Sequence, residues 1–176
     1  MKKKTSLLAI DPGFREMGFA HFEGIELVDY GVKVLRRSKS SRRPLMILAR
    51  VMDRLIYEKS PSVLALEKNC FSIRHPGIQV VDAIQVIKRK AFQNNIHIYE
   101  YAASTIKKSI TGDGRATKRL ISKVISANIP ELKAYKISNC HWKEIYYQNM
   151  FDAVACGLTH LNFSRNNQVE NHEIKN

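Results

Sequence analysis

Acidic residues are scarce in this chain of 176 residues: 16 Asp and Glu stand against 29 Lys and Arg, a formal net charge of +13. An excess of that size favours a polyanionic partner, either nucleic acid or an anionic membrane surface. Cysteine is scarcer still. Cys70, Cys140 and Cys156 are an odd set with no CxxC spacing, which argues against a disulfide scaffold and for a reducing compartment, so the cytoplasm is expected. Long apolar runs are missing. Met1-Lys2-Lys3-Lys4 is followed by a short apolar stretch that stops at Asp11, too short for a signal-peptide core and far below the roughly 20 residues that span a bilayer. No internal repeat is visible. An apolar fraction of 44% is nevertheless that of a packed globular protein, and the length suits one domain.

The apolar run from Thr5 to Ile10 ends at Asp11-Pro12-Gly13, as a buried strand ends in a turn. Two β-prone runs follow, around Met17 to Phe22 and Ile25 to Tyr30, with Gly24 and Gly31 as punctuation before Val32 to Leu35. The pattern predicts an antiparallel meander. Arg36 to Arg43 reads as a basic solvated loop, and Pro44 suits the first turn of a helix with Leu48, Val51, Met52, Leu55 and Ile56 on one face. Val63 to Leu66 reads as a buried strand ending at Glu67. A helix over 77–93, a strand over 96–101 and helices over 103–109 and 116–127 follow, and residues 131–146 carry no clear pattern. The last predicted helix covers 147–161, with Met150, Val154, Leu158 and Leu161 at helical spacing. Residues 164–176 read as a disordered polar tail behind a folded domain of residues 1–163. In that tail Arg165 and Lys175 balance Glu170 and Glu173, so the whole excess charge belongs to the folded part. The order of elements predicts a mixed α/β sheet, three antiparallel strands and then parallel ones, flanked by helices.

Among so few acids, three positions stand out. Asp11 and Glu67 each leave an apolar run where a strand emerges from the core, and Asp152 lies between Phe151 and Ala153-Val154-Ala155, where an unpaired carboxylate is costly. If the two strands are neighbours and the last helix crosses their ends, the three acids converge. Carboxylates in that number suit Mg²⁺ or Mn²⁺, and on a basic protein the matching reaction is phosphodiester hydrolysis with a pair of ions. Each acid alone has a plainer reading: a turn residue, a helix cap, or a salt-bridge partner.

Leu8-Ala9-Ile10-Asp11-Pro12-Gly13, with Gly18 opening the next strand, resembles the first motif of the RuvC-type Holliday junction resolvases. Pro61 to Glu67 is similar to the second, the basic stretch from Ala102 to Ile125 to the third, and Phe151 to His160 to the closing Asp-Ala-hydrophobic-Ala motif. The resemblance implies an RNase H-like fold, a homodimer, and paired symmetric nicking of four-way DNA junctions in recombination and repair, with Mg²⁺ or Mn²⁺, two ions per site. It implies that Asp11, Glu67 and Asp152 are catalytic metal ligands. The family's fourth ligand, an Asp or His three positions before the last Asp, is replaced here by Asn149, an amide that can ligate but brings no charge. Lys107 and Lys118 match positions tied to catalysis and DNA binding. Lys108, Arg115 and Arg119 fall in the same segment, and Gly112 to Arg115 reads either as a phosphate-facing turn or as plain turn chemistry. Phe71 lies one place from the aromatic that the family inserts among junction bases, with Cys70 at the ungapped position. Arg42 and Arg43 end a basic run that either meets a duplex arm or is merely solvated, and Lys88-Arg89-Lys90 has the same two readings. The 77–93 helix is a candidate dimer contact. Cys140-His141 lacks a second ligand pair for zinc, and His160 reads as a helix-end residue. No membrane or small-molecule cofactor is expected. Two alternatives stay open: a branched-DNA binding protein that cuts weakly or not at all because of Asn149, and a related nuclease acting on flaps, forks or RNA–DNA hybrids.

Overall fold

A computed structural model describes residues 5–13, 15–35, 42–68, 78–135 and 141–173. Five strands form one sheet: β1 (Ser6–Asp11), β2 (Glu16–Glu23), β3 (Glu26–Val34), β4 (Val63–Lys68) and β5 (His97–Ala102), in the spatial order β3-β2-β1-β4-β5. β1, β2 and β3 are antiparallel neighbours, and β1, β4 and β5 are parallel. The helices are α1 (Arg42–Lys59), α2 (Ile78–Gln93), α3 (Ala103–Thr111), α4 (Lys118–Asn128) and α5 (His141–Glu173), with a 3₁₀ stretch at Pro130–Tyr135.

The two-residue period of a strand sends alternate side chains to opposite faces, and here the two faces carry different cores. Leu8 and Ile10 of β1, Met17 and Phe19 of β2, and Leu64 and Leu66 of β4 pack against Leu48, Met52 and Leu55 of α1 and Ala83, Ile87 and Ala91 of α2. Leu7, Ala9, Ala20, Phe22 and Ala65 pack on the other face against α3, α4 and the buried stretch of α5 around Met150 to Cys156. Ala9 stands beside both Ala20 and Ala65 in register, so a row of methyl groups crosses three strands where α5 lies on the sheet. Glycine brings the backbones closer still. A Cβ on Gly18 would stand 1.8 Å from the backbone oxygen of Asn149, and one on Gly157 would stand 2.3 Å from the Phe22 ring.

Four expectations change. Gly31 does not interrupt the third strand: β3 runs through it, because Gly31 pairs with Phe19 and leaves room for that ring, 3.2 Å from where a Cβ would be. Arg42 and Arg43 open α1 instead of ending the basic loop. Helix α5 begins at His141, ahead of the expected Tyr147. It also continues to Glu173 where a disordered tail was expected. Asn162 donates to Ser109 Oγ and Phe163 stacks on Tyr101, which ties the helix down past residue 161, and extending an existing helix through polar residues costs little compared with nucleating one.

Candidate active site

Alternation along the strands places the acids. Residues 7 and 9 of β1 face α5, so Asp11 does too; Val63 and Ala65 of β4 face α5, so Glu67 does too. The β1–β4 register pairs Ile10 with Leu66, which leaves Asp11 and Glu67 side by side one step further along. Asp152 comes from α5, buried, over this end of the sheet, because Gly18 sits beside Asp11 in the β1–β2 register and lets the Asn149–Met150 backbone descend onto β2. Three elements distant in sequence therefore deliver three carboxylates to one place.

The electrostatics record their proximity. Burial, followed by the charges of Asp152 and Glu67, pushes the Asp11 carboxyl well above its usual range. Burial and Asp152 raise that of Glu67. Lys118 opposes both shifts, and Lys107, half-buried on α3, opposes the shift at Glu67. Lys118 Nζ donates to Asp152 Oδ2 at 2.6 Å, and Gln148 Nε2 donates to Asp152 Oδ1 at 2.9 Å. Lys118 is the first residue of α4, behind the Thr117 N-cap, and the first turn of α4 holds no acid. A lysine there opposes the helix dipole, and its ion pair across to α5 is the compensation. Glu67, Asp11 and Asp152 are hard oxygen donors carrying more negative charge than the neighbouring lysine balances, a donor set that fits a divalent cation. Among the described residues no group of three or more His, Cys, Asp or Glu is placed to hold a metal ion.

The other expected residues distribute as follows. Asn149 lies on α5 one turn before Asp152, half-buried. Arg115 and Arg119 are exposed around the start of α4. Lys108 is exposed on α3 and lines a cleft with Arg165 of α5, away from the acids. The turn from Gly112 to Arg115 is plain turn chemistry: Gly112 N–H donates to Lys108 O, Asp113 N–H to Thr111 Oγ1 and Arg115 N–H to Asp113 Oδ1, so these amides are already used. Arg42 and Arg43 are in the first turn of α1, their side chains outside the described set, and Phe71 and Cys70 also lie outside it. Lys88 and Lys90 are structural, paired with Glu100 of β5 and Asp53 of α1 at 2.8 Å each. His160 is no helix-end residue: it is buried inside α5, hydrogen-bonded to Tyr101 at 2.8 Å and packed at a tilt against the Tyr99 ring, and burial lowers its pKa. Burial pushes the Cys156 thiol up, away from reactivity. Gln148 went unnoticed in the sequence; its i,i+4 spacing to Asp152 on one helix face was the available signal.

A mixed sheet in this order, with acids at the adjacent ends of the central strands and a third on a helix crossing them, defines the RNase H-like class. A family model described as crossover junction endodeoxyribonuclease RuvC matches residues 7–160. The crossover junction endodeoxyribonuclease RuvC of Brachyspira hyodysenteriae is 30% identical over 163 residues, which cover 90% of this chain and 94% of that one. The protein of that description from Prochlorococcus marinus is 31% identical over 161 residues, covering 89% and 96%. The structure described as T. thermophilus RuvC in complex with Holliday junction substrate superposes with a TM-score of 0.73 at 18% identity, over 92% of this chain and 95% of that one. The chain belongs to the RuvC family of crossover junction endodeoxyribonucleases. No helix among the described residues is long and apolar enough to cross a membrane.

Proposed function

We propose that this protein is a structure-specific DNA endonuclease that resolves four-way junctions by paired, symmetric nicks. Convergence of Asp11, Glu67 and Asp152 at one end of the sheet of a strongly basic protein is the observation that carries the reading. Asp11, Glu67 and Asp152 are the proposed ligands of Mg²⁺ or Mn²⁺, two ions per site, with Asn149 contributing a neutral oxygen. Such cations stabilise the attacking and leaving oxygens of an in-line displacement at phosphorus. The protein's own part is positional and electrostatic. Lys118 and Lys107, beside the acids, neutralise phosphate at the reacting strand. Lys108, Arg115, Arg119, Arg42 and Arg43 hold flanking backbone, and Phe71 stacks on a junction base. Two nicks related by a two-fold axis require two sites so related, so the working unit is a homodimer, acting in the cytoplasm.

A panel of labelled substrates at physiological salt tests the reading. Paired nicks at symmetric positions on a four-way junction, with little cutting of flap, fork, RNA–DNA hybrid or linear duplex, are expected. Equal or faster cutting of a fork or hybrid moves the assignment to that substrate. The absence of an acid at Asn149 favours a second reading, a branched-DNA binder that cuts weakly. Tight, structure-selective binding without cutting in Mg²⁺ or Mn²⁺, and cutting gained by Asn149→Asp, are the results that select it.

A further inference from the structure

Asp152 meets the site with both carboxylate oxygens engaged, and the two partners differ in kind. Gln148 Nε2 is a neutral donor from the same helix; Lys118 Nζ is a full positive charge reaching across from α4. We propose that the Lys118 ammonium is a placeholder for a divalent cation, holding the acids together in the cation-free protein and leaving Asp152 when a cation binds. The inference rests on the proposed role of the three acids as ligands.

Two observations carry it. Lys118 Nζ stands 2.6 Å from Asp152 Oδ2, over the end of the sheet where β1 and β4, paired in register at Ile10 and Leu66, deliver Asp11 and Glu67. A single cation among three anions is the arrangement a bound metal would replace. The pair is also asymmetric in exposure. The Lys118 side chain is 62% exposed and that of Asp152 only 9%, so the lysine can swing into water at little desolvation cost while the carboxylate stays. Gln148 keeps Asp152 oriented through the exchange, because its neutral amide does not compete for the negative charge.

Displacement has a consequence for DNA. A freed Lys118 ammonium is available to a backbone phosphate, so a bound cation strengthens the DNA contact and DNA, by linkage, strengthens cation binding.

Mn²⁺ binding to the full chain without DNA, followed by electron paramagnetic resonance, tests the placeholder directly. Lys118→Met and Lys118→Gln are expected to bind Mn²⁺ about tenfold tighter than the parent, the order expected for removing one competing charge a few ångströms away at a partly exposed site. Lys118→Arg, which keeps the charge, should match the parent, and Gln148→Ala should bind more weakly. In EDTA the two uncharged variants should melt earlier than the parent, and Mn²⁺ should raise their melting temperature by more than it raises the parent's. Unchanged or weaker Mn²⁺ affinity in both uncharged variants, with the parent binding normally, overturns the placeholder and leaves the ligand assignment standing. No Mn²⁺ binding by the parent or by either uncharged variant overturns both.

Discussion

β1 turns Leu8 and Ile10 towards α1 and α2, and Leu7, Ala9 and Asp11 towards α5. The α1/α2 side is built of large apolar side chains, and on that side Lys90 pairs with Asp53 and Lys88 with Glu100. The α5 side is built of alanines and glycines at its centre, and its acids outnumber the lysine bonded to them. One face is arranged to be stable. The other gives up side-chain volume so that a helix backbone comes close enough to place Asp152 beside Asp11 and Glu67, and it tolerates uncompensated charge there. Strain in charge and closeness in packing occur together because the second is what makes the first.

Gly18→Ala should break the arrangement most severely. Its methyl would fall on the Asn149 backbone oxygen, with no flexible side chain to yield, so a loss on the order of 4 kcal/mol in urea unfolding is expected, together with loss of nicking; a parental stability would show that α5 does not rest on β2 as described. Leu8→Ala, on the other face, should cost about 3 kcal/mol by leaving a cavity among Leu64, Leu48 and their neighbours, while the protein that remains folded nicks junctions at the parental rate. A specific rate that falls in proportion to stability would remove the distinction between the faces.

Asp11→Asn should move stability the other way. The folded Asp11 carboxyl titrates well above its unfolded value of about 3.9, so its ionised form costs the fold stability. That cost is absent below the unfolded value and grows as pH rises through the folded one. Without divalent cation the variant should therefore melt at a higher temperature than the parent at pH 7, and at the parental temperature at pH 4. A lower melting temperature at pH 7 would mean that the charge is compensated. Lys90→Ala breaks a part-exposed pair on the α1/α2 side and should cost less than about 1 kcal/mol, with no change in nicking.

Asp11 and Glu67 were readable in the sequence because each sits where an apolar run stops, and a period of two fixes its face; Asp11 follows Leu7 and Ala9, and Glu67 follows Val63 and Ala65, whereas Asp152 stood out as a carboxylate inside the apolar run of a helix. What the residues could not express was proximity. Gly18 looked like a strand-opening glycine and is the contact that seats α5, and Gly31 looked like a break and is a place for the Phe19 ring. The hydrogen bond from Gln148 to Asp152 is one of many i,i+4 possibilities on a long helix, and nothing local distinguishes it. The basic residues 88–90 looked alike, yet the fold turns Lys88 and Lys90 into cross-element ion pairs and leaves Arg89 exposed. The helical course of residues 164–173 depends on α5 being anchored by Asn162 and Phe163 to partners more than 50 residues earlier, which no local pattern records.

The central claim is that Asp11, Glu67 and Asp152 form one catalytic centre. Single-turnover nicking of a labelled four-way junction by Asp11→Asn, Glu67→Gln and Asp152→Asn, with junction affinity measured in parallel, addresses it most directly. Each substitution should slow nicking by at least about a thousandfold while leaving affinity near the parental value. Nicking within about tenfold of the parent by any one of the three would contradict the account.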